Sequence, residues 1–219
     1  MATSTVARLD IYPFNLLSVL TNATGTWSGD WGDYDNDGRL DLLVGGKAGG
    51  QPISATARLF RNVGDGAFTE INGGFAQSAQ SVAWGDFDND GFLDILLVGS
   101  SSAKIWRNRG DGTFTNLGLT LTADYSTIAS VADFNSDGRL DILLGGRLYR
   151  NLGNNQFTNV SAGLPGTQYS TTAWGDYDGD GRPDVLICGL VGGSAQFRLY
   201  HNLGNGTFTN VNAGFQDIY

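Results

Sequence analysis

Residues 31–46 read WGDYDNDGRLDLLVGG, with four aspartates inside nine residues that run straight into an apolar stretch. The arrangement returns at 84–99 (WGDFDNDGFLDILLVG), 131–146 (VADFNSDGRLDILLGG) and 174–189 (WGDYDGDGRPDVLICG). Carboxylates this close repel one another, so such a turn needs a positive partner. A hard dication meets that need. Calcium takes roughly 6–8 oxygen ligands at roughly 2.3–2.6 Å and mixes carboxylates with a backbone carbonyl and water. In D-x-D-x-D-G-x-x-D, side-chain oxygens fall at positions 1, 3, 5 and 9, the position 7 carbonyl turns inward, and the position 6 glycine permits the sharp turn.

The candidate ligands follow repeat by repeat. They are Asp33, Asp35, Asp37 and Asp41 with the Arg39 carbonyl, then Asp86, Asp88, Asp90 and Asp94 with the Phe92 carbonyl. The third set is Asp133, Asn135, Asp137 and Asp141 with the Arg139 carbonyl, and the fourth is Asp176, Asp178, Asp180 and Asp184 with the Arg182 carbonyl. Asn135 removes one ligand charge, so the third site is expected to be the weakest. An EF-hand would need a glutamate at position 12 and flanking helices. Position 12 here is Val44, Leu97, Leu144 or Ile187, so the loop joins strands. Magnesium fits less well, because it demands octahedral geometry and keeps its waters.

A second motif follows each loop: LFRNVGDGAFTEI (59–71), IWRNRGDGTFTNL (105–117), LYRNLGNNQFTNV (148–160) and LYHNLGNGTFTNV (199–211). Asp33, Asp86, Asp133 and Asp176 are 53, 47 and 43 residues apart, which sets the repeat length. Each repeat reads as four strands. In order these are SVAW (81–84) or its equivalent, an apolar run such as LDLLVGG (40–46) suited to burial on both faces, RLFRN (58–62) and AFTEI (67–71). The GDG, GNN and GNG turns supply the positive φ of a hairpin. No segment shows helical periodicity. The expected fold class is an all-β propeller of four-stranded blades, forming one domain over 1–219. Its repeats fall at about 14–71, 72–117, 118–160 and 161–211, with 1–13 as a leading strand segment. Phe14 lies 17 residues before Trp31, as Phe157 does before Trp174, so residues 14–30 read as the tail of a preceding repeat.

Bulk numbers agree. The 219 residues carry 33 glycines but only 4 prolines, which suits many tight turns between short strands. The net charge is −9, which argues against a nucleic-acid partner. Four dications would bring it to about −1, so the acidity reads as metal sites rather than a solvating surface. Cys188 is the one cysteine, so no internal disulfide forms, and a buried small hydrophobe is its expected role. No stretch reaches the roughly 18 apolar residues of a membrane helix. MATSTVARLD lacks the charged and apolar regions of a signal peptide, so the protein is either cytosolic or a mature portion with a start methionine added.

The paired motifs, WGDYDNDGRLDLLVGG with LYHNLGNGTFTNV, resemble the VCBS/FG-GAP repeat family of integrin-α-like β-propellers, over about residues 14–211. The resemblance implies about four structural calcium ions, one per repeat, in the loop between the first and second strands. It also implies an extracellular or cell-surface setting, since members include adhesion ectodomains, bacterial surface proteins and fungal propeller lectins that bind sugars between blades. Such propellers usually carry more blades than the four repeats here. Either the chain makes a small ring, or copies associate to complete a larger one, or it is an excised piece.

Catalysis finds little support. The only histidine, His201, occupies the slot held by Arg61, Arg107 and Arg150, where turn packing is expected, and Lys47 and Lys104 are the only lysines. A binding module for glycans or a protein ligand is the leading expectation, with a scaffold holding only calcium as the alternative. Trp27, Phe75, Tyr125, Tyr169 and Phe215 are aromatics in the variable links that either stack on sugars or fill gaps between blades. Trp31, Trp84 and Trp174 share one register, where core or inter-blade packing is expected, and Val131 replaces them in the third repeat.

Overall fold

A computed structural model describes residues 26–47, 55–75, 79–123 and 128–215. The leading segment 1–13, Phe14 and Tyr125 lie outside these residues, and the side chain of Trp27 is not described. The described chain is all-β, without a helix, and folds into four antiparallel sheets. Accordingly, no described helix is long and apolar enough to cross a membrane.

The first sheet runs β1 (Thr26–Gly32), β2 (Asp41–Lys47), β3 (Ala55–Gly64) and β4 (Ala67–Ile71) in sequence order. The second holds β5 (Ser81–Gly85), β6 (Asp94–Val98), β7 (Ser102–Asn108) and β8 (Phe114–Asn116), with β9 (Leu121–Thr122) also pairing β7. The third holds β10 (Ala129–Ala132), β11 (Asp141–Leu144), β12 (Arg147–Gly153) and β13 (Gln156–Val160). The fourth holds β14 (Gln168–Gly175), β15 (Asp184–Val191), β16 (Ser194–Asn202) and β17 (Phe208–Asn210). These meanders are blades 1 to 4, as the repeat predicts. The fifth strand of blade 2 departs from the expected four. β8 covers β7 only from Trp106 to Asn108, and β9 pairs the uncovered Ser102 and Ala103.

The second strands are apolar because both faces are covered. β6 and β11 are buried along their whole length, and so is the first strand β5. The blades stack through their first strands, β1 against β5, β5 against β10 and β10 against β14, with no comparable contact between β14 and β1 among the described residues. Three apolar clusters each bridge adjoining blades. One joins Leu43 and Leu59 to Trp84 and Ile95, the next joins Phe87 and Leu96 to Ile142 and Tyr149, and the third joins Phe134 and Leu143 to Val185 and Tyr200.

Trp84 and Trp174 pack as expected. Trp84 stacks on Tyr34 with ring centroids 6.1 Å apart and planes 3° from parallel, and Trp174 tilts against Phe208 at 6.1 Å. Trp31, expected in the same role, is 47% exposed. It sits on the first blade, upstream of the three bridging clusters, and tilts against Phe68 of its own blade. Cys188, expected to be buried, is only half-buried on β15 and is a free thiol.

Turn geometry follows the residues. The β3–β4 hairpin turns at Asp65 and Gly66 with φ of 51° and 72°, and the β12–β13 hairpin at Asn154 and Asn155 with 51° and 59°. Paired positive φ matches the right-handed twist of the flanking strands.

The sheets are tied by an asparagine whose part the repeat alone did not disclose. Asn151 is fully buried, and its Nδ2 donates to the carbonyls of Leu140 in its own blade and Phe87 in the preceding one. Its Oδ1 accepts the N–H of Gly153. Asn108 and Asn202 repeat the pattern. Asn151→Ala therefore leaves one buried backbone group, the Phe87 carbonyl, and two part-buried ones without this partner. A loss of about 2–4 kcal/mol in urea unfolding is expected, at roughly 1–3 kcal/mol for each buried group left unpaired.

Candidate functional site

Each acidic loop connects the first strand of a blade to the second and is built by its own carboxylates. In the first, Asp33 Oδ1 and Oδ2 accept the N–H groups of Asp37 and Gly38 at 3.0 and 2.9 Å, and Asp37 Oδ1 accepts that of Arg39 at 3.0 Å. The second loop repeats this with Asp86, Asp90, Gly91 and Phe92. The third uses Asp133, Asp137, Gly138 and Arg139, and the fourth Asp176, Asp180, Gly181 and Arg182. The position 6 glycines Gly38, Gly91, Gly138 and Gly181 have φ between 83° and 89°, as their spacing predicts. Position 4 is also left-handed, at Asn36, Asn89, Ser136 and Gly179. The signal was present in the Asn-Asp-Gly order, since asparagine tolerates this region.

The carboxylates at positions 1, 3 and 5 converge. Within Asp33, Asp35 and Asp37, within Asp86, Asp88 and Asp90, and within Asp176, Asp178 and Asp180, one oxygen of each lies within 4.8 Å of the others, close enough to share a metal ion. Position 3 is the informative one. Asp35 Oδ1 and Asp88 Oδ1 are shielded from solvent and accept no hydrogen bond. Lone pairs buried without a donor are the chemistry that suits a cation. On donor type and convergence, the loops fit a hard dication.

Position 9 behaves differently. Asp41, Asp94, Asp141 and Asp184 are at most 1% exposed. Each accepts a backbone N–H on both oxygens, one from its own loop (Tyr34, Phe87, Phe134, Tyr177) and one from the third-strand asparagine (Asn62, Asn108, Asn151, Asn202). This residue therefore fastens the loop to the sheet. Each carboxylate oxygen has a second lone pair, so the fastening leaves capacity for an ion.

The structure adds groups that were not among the sequence-based candidates. Arg61 Nε lies 2.6 Å from Asp35 and its NH2 3.1 Å from Asp37, and Arg107 meets Asp88 and Asp90 at 2.6 and 2.9 Å. Arg150 meets Asp137 at 3.0 Å. Arg39, Arg139 and Arg182 close on Asp37, Asp137 and Asp180 of their own loops. His201, expected to pack the turn, instead joins the fourth cluster, with Nδ1 3.2 Å from Asp184 and 3.3 Å from Asp178. The signal was its register with the arginines.

Two hollows lie away from the loops, at equivalent places on blades 1 and 4. The first, about 340 Å³, is lined by Arg58, Glu70, Asn72 and Phe75 among others. The second, about 210 Å³, is lined by Arg198, Asn210, Asn212 and Phe215 among others. Arg58 holds Glu70 through two 2.7 Å hydrogen bonds, which keep that carboxyl below its ordinary range, and sits 4.8 Å over the Phe60 ring. Phe75 also meets Trp106 edge-on at 5.3 Å, so it fills the gap between blades 1 and 2 while lining the hollow. Phe215 is 43% exposed and Tyr169 62% exposed.

Comparison with known proteins agrees with this architecture. The FG-GAP-like repeat model matches residues 48–97, 86–144 and 145–187, and the chain belongs to that family. No curated protein sequence matches it. Among solved structures, the chain is similar to a lectin from Agrocybe aegerita described as recognising non-reducing terminal N-acetylglucosamine, at 23% identity and a TM-score of 0.51, over 83% of this chain and 50% of that one. It is also similar to the V. cholerae biofilm matrix protein Bap1, at 19% identity and a TM-score of 0.52, over 85% of this chain and 31% of that one. The chain thus spans half or less of the length of these two proteins, and the likeness is one of fold.

Two of the buried position 9 carboxyls, those of Asp94 and Asp141, give a pH signature. Burial pushes Asp94 up to about 7 and Asp141 up to about 6, from an ordinary value of 3.8, against the pull of the N–H groups they accept. A folded-state value above the unfolded one means that the native state binds more protons between the two. The contribution of these groups to metal-free stability is therefore full near pH 4 and falls as pH rises through 6 and 7. Urea unfolding in EDTA should show this decline between pH 4 and pH 7, and saturating calcium should flatten it.

Proposed function

We propose that the chain is a calcium-stabilised propeller whose role is binding rather than catalysis, with residues 1–219 as one such unit acting outside the cell or at its surface. The ligand class is carbohydrate. The observation that carries this reading is the pair of equivalent hollows on blades 1 and 4. Each sets an arginine and an asparagine beside a phenylalanine ring, with Glu70 in the first hollow where the second has Asn210, and a sugar is recognised by planar hydrogen-bonding groups next to an apolar face. The equivalent of Phe75 and Phe215 is Leu121 in blade 2 and Leu164 in blade 3, so the aromatic residue at this place belongs to blades 1 and 4. The fold likeness to a lectin that recognises terminal N-acetylglucosamine supports the class and supplies the first sugar to try.

Calcium is assigned a structural part. The first loop would hold it through Asp33, Asp35, Asp37, Asp41 and the Arg39 carbonyl, and the other three through their equivalents. The ion would add its charge to the counter-charge of Arg39, Arg61, Arg107, Arg139, Arg150 and Arg182. It would set the loop that carries the inter-blade carbonyls without touching the hollows.

Two measurements check this reading. Calorimetric titration should give about four calcium sites, the one holding Asn135 being the weakest, and EDTA should lower the melting temperature. Each ion at 100 times its Kd contributes about 2.7 kcal/mol, and Asp37→Ala or Asp90→Ala should each remove one site. Glycan-array binding should show preference for N-acetylglucosamine-terminated glycans, and Arg58→Ala with Phe215→Ala should reduce it at least tenfold while calcium binding stays intact. An array without signal on the calcium-loaded protein would refute the carbohydrate assignment.

A further inference from the structure

The blades join through one repeating set of contacts. At the three internal junctions, Asn108, Asn151 and Asn202 each donate Nδ2 to a loop carbonyl of the preceding blade, that of Tyr34, Phe87 and Phe134 respectively, at 2.8 Å. Those three aromatic residues are at most 3% exposed. At the first two junctions a leucine also presses on a glycine of the preceding blade. A Cβ built on Gly32 would lie 2.7 Å from Leu93, and one on Gly85 would lie 3.2 Å from Leu140.

The same set is present but unmated at the two ends of the series. On blade 4, Tyr177 is 50% exposed, no described donor reaches its carbonyl, and a Cβ on Gly175 would meet nothing within 4 Å. On blade 1, Leu40, the equivalent of Leu93 and Leu140, is 56% exposed. Asn62 keeps the 3.1 Å bond from Nδ2 to the Leu40 carbonyl but makes no donation to another blade among the described residues, and it is only half-buried where its three equivalents are buried. The two edges are halves of one contact, a donor and a leucine on blade 1, and an acceptor and an open glycine on blade 4.

We infer that these edges mate between two copies of the chain, blade 4 of one against blade 1 of the other, so that two chains close head to tail into an eight-bladed ring. Asn62 then donates to the Tyr177 carbonyl of the other copy, and Leu40 lies over its Gly175. Such a contact joins different patches and is self-completing only when the ring closes. Propellers typically have about 4–8 blades, so two copies reach the upper end of that range and three would overshoot it. Closure of a single chain on itself would bring Asn62 to Tyr177 within one molecule, and no such contact is made among the described residues. The inference stands apart from the carbohydrate assignment, because none of these residues lines a hollow.

The test is sedimentation velocity on the full 219-residue chain with calcium at tens of micromolar. The expected species has twice the 23.3 kDa chain mass. Gly175→Trp blocks the acceptor edge and Leu40→Asp spoils the donor edge. Both positions are open to solvent, and an unchanged circular dichroism spectrum confirms that the blades are intact. Each variant alone should sediment as a single chain, and an equimolar mixture should regain a two-chain species, because one junction then pairs an intact Leu40 edge with an intact Gly175 edge. A wild-type protein that stays a single chain overturns the proposal and assigns the edges to the chain's own remaining residues. Variants that still dimerise, or a mixture that stays monomeric, overturn the head-to-tail arrangement.

Discussion

Every blade depends on one buried aspartate. Asp41, Asp94, Asp141 and Asp184 sit where the acidic loop enters the second strand, and each clamps a loop N–H on one oxygen and a third-strand N–H on the other. A carboxyl group removed from water is costly unless it is hydrogen-bonded, and each of these accepts one backbone N–H on either oxygen. The clamp therefore fixes loop, second strand and third strand in one register. The asparagine that donates its N–H to this carboxylate is also the residue whose side chain crosses to the preceding blade. One aspartate–asparagine pair thus sets both the interior of a blade and its angle to its neighbour.

Above that clamp lies a different electrostatic problem. In three of the loops, positions 1, 3 and 5 bring three carboxylates to one point. Part of the charge is met by arginines from the third strand and from the loop itself. These are surface pairs of modest strength, and they leave Asp35 Oδ1 and Asp88 Oδ1 buried without a donor. A dication at that point neutralises more charge than a guanidinium reaching in from one side. In the fourth blade His201 takes the place of the third-strand arginine, and Arg182 of the loop itself meets Asp180.

Much of this was legible in the residues. The acidic loops, the position 6 glycines and the continuous apolar second strands follow from spacing alone, because each is a local requirement of a turn or of a strand covered on both faces. The Arg-Asn pair was visible as a repeat but not as a device, because its partners lie on the preceding blade, about 64–74 residues away for Asn108, Asn151 and Asn202 and beyond any local pattern. The exposure of Trp31 was illegible for the same reason. Its side chain matches Trp84 in register, and only the order of the blades makes their surroundings differ. β9 was missed because the need for it arises from how little of β7 is covered by β8.

The central claim is that the aspartate–asparagine clamp is the last part of each blade to open. Native-state hydrogen exchange measures it directly. The backbone N–H groups of Asn108 and Asn151, donated to Asp94 and Asp141, should exchange only through global unfolding, as the amides of β6 and β11 do. Exchange of these amides at the rate of the exposed hairpin turns, while β6 and β11 stay protected, would contradict the account.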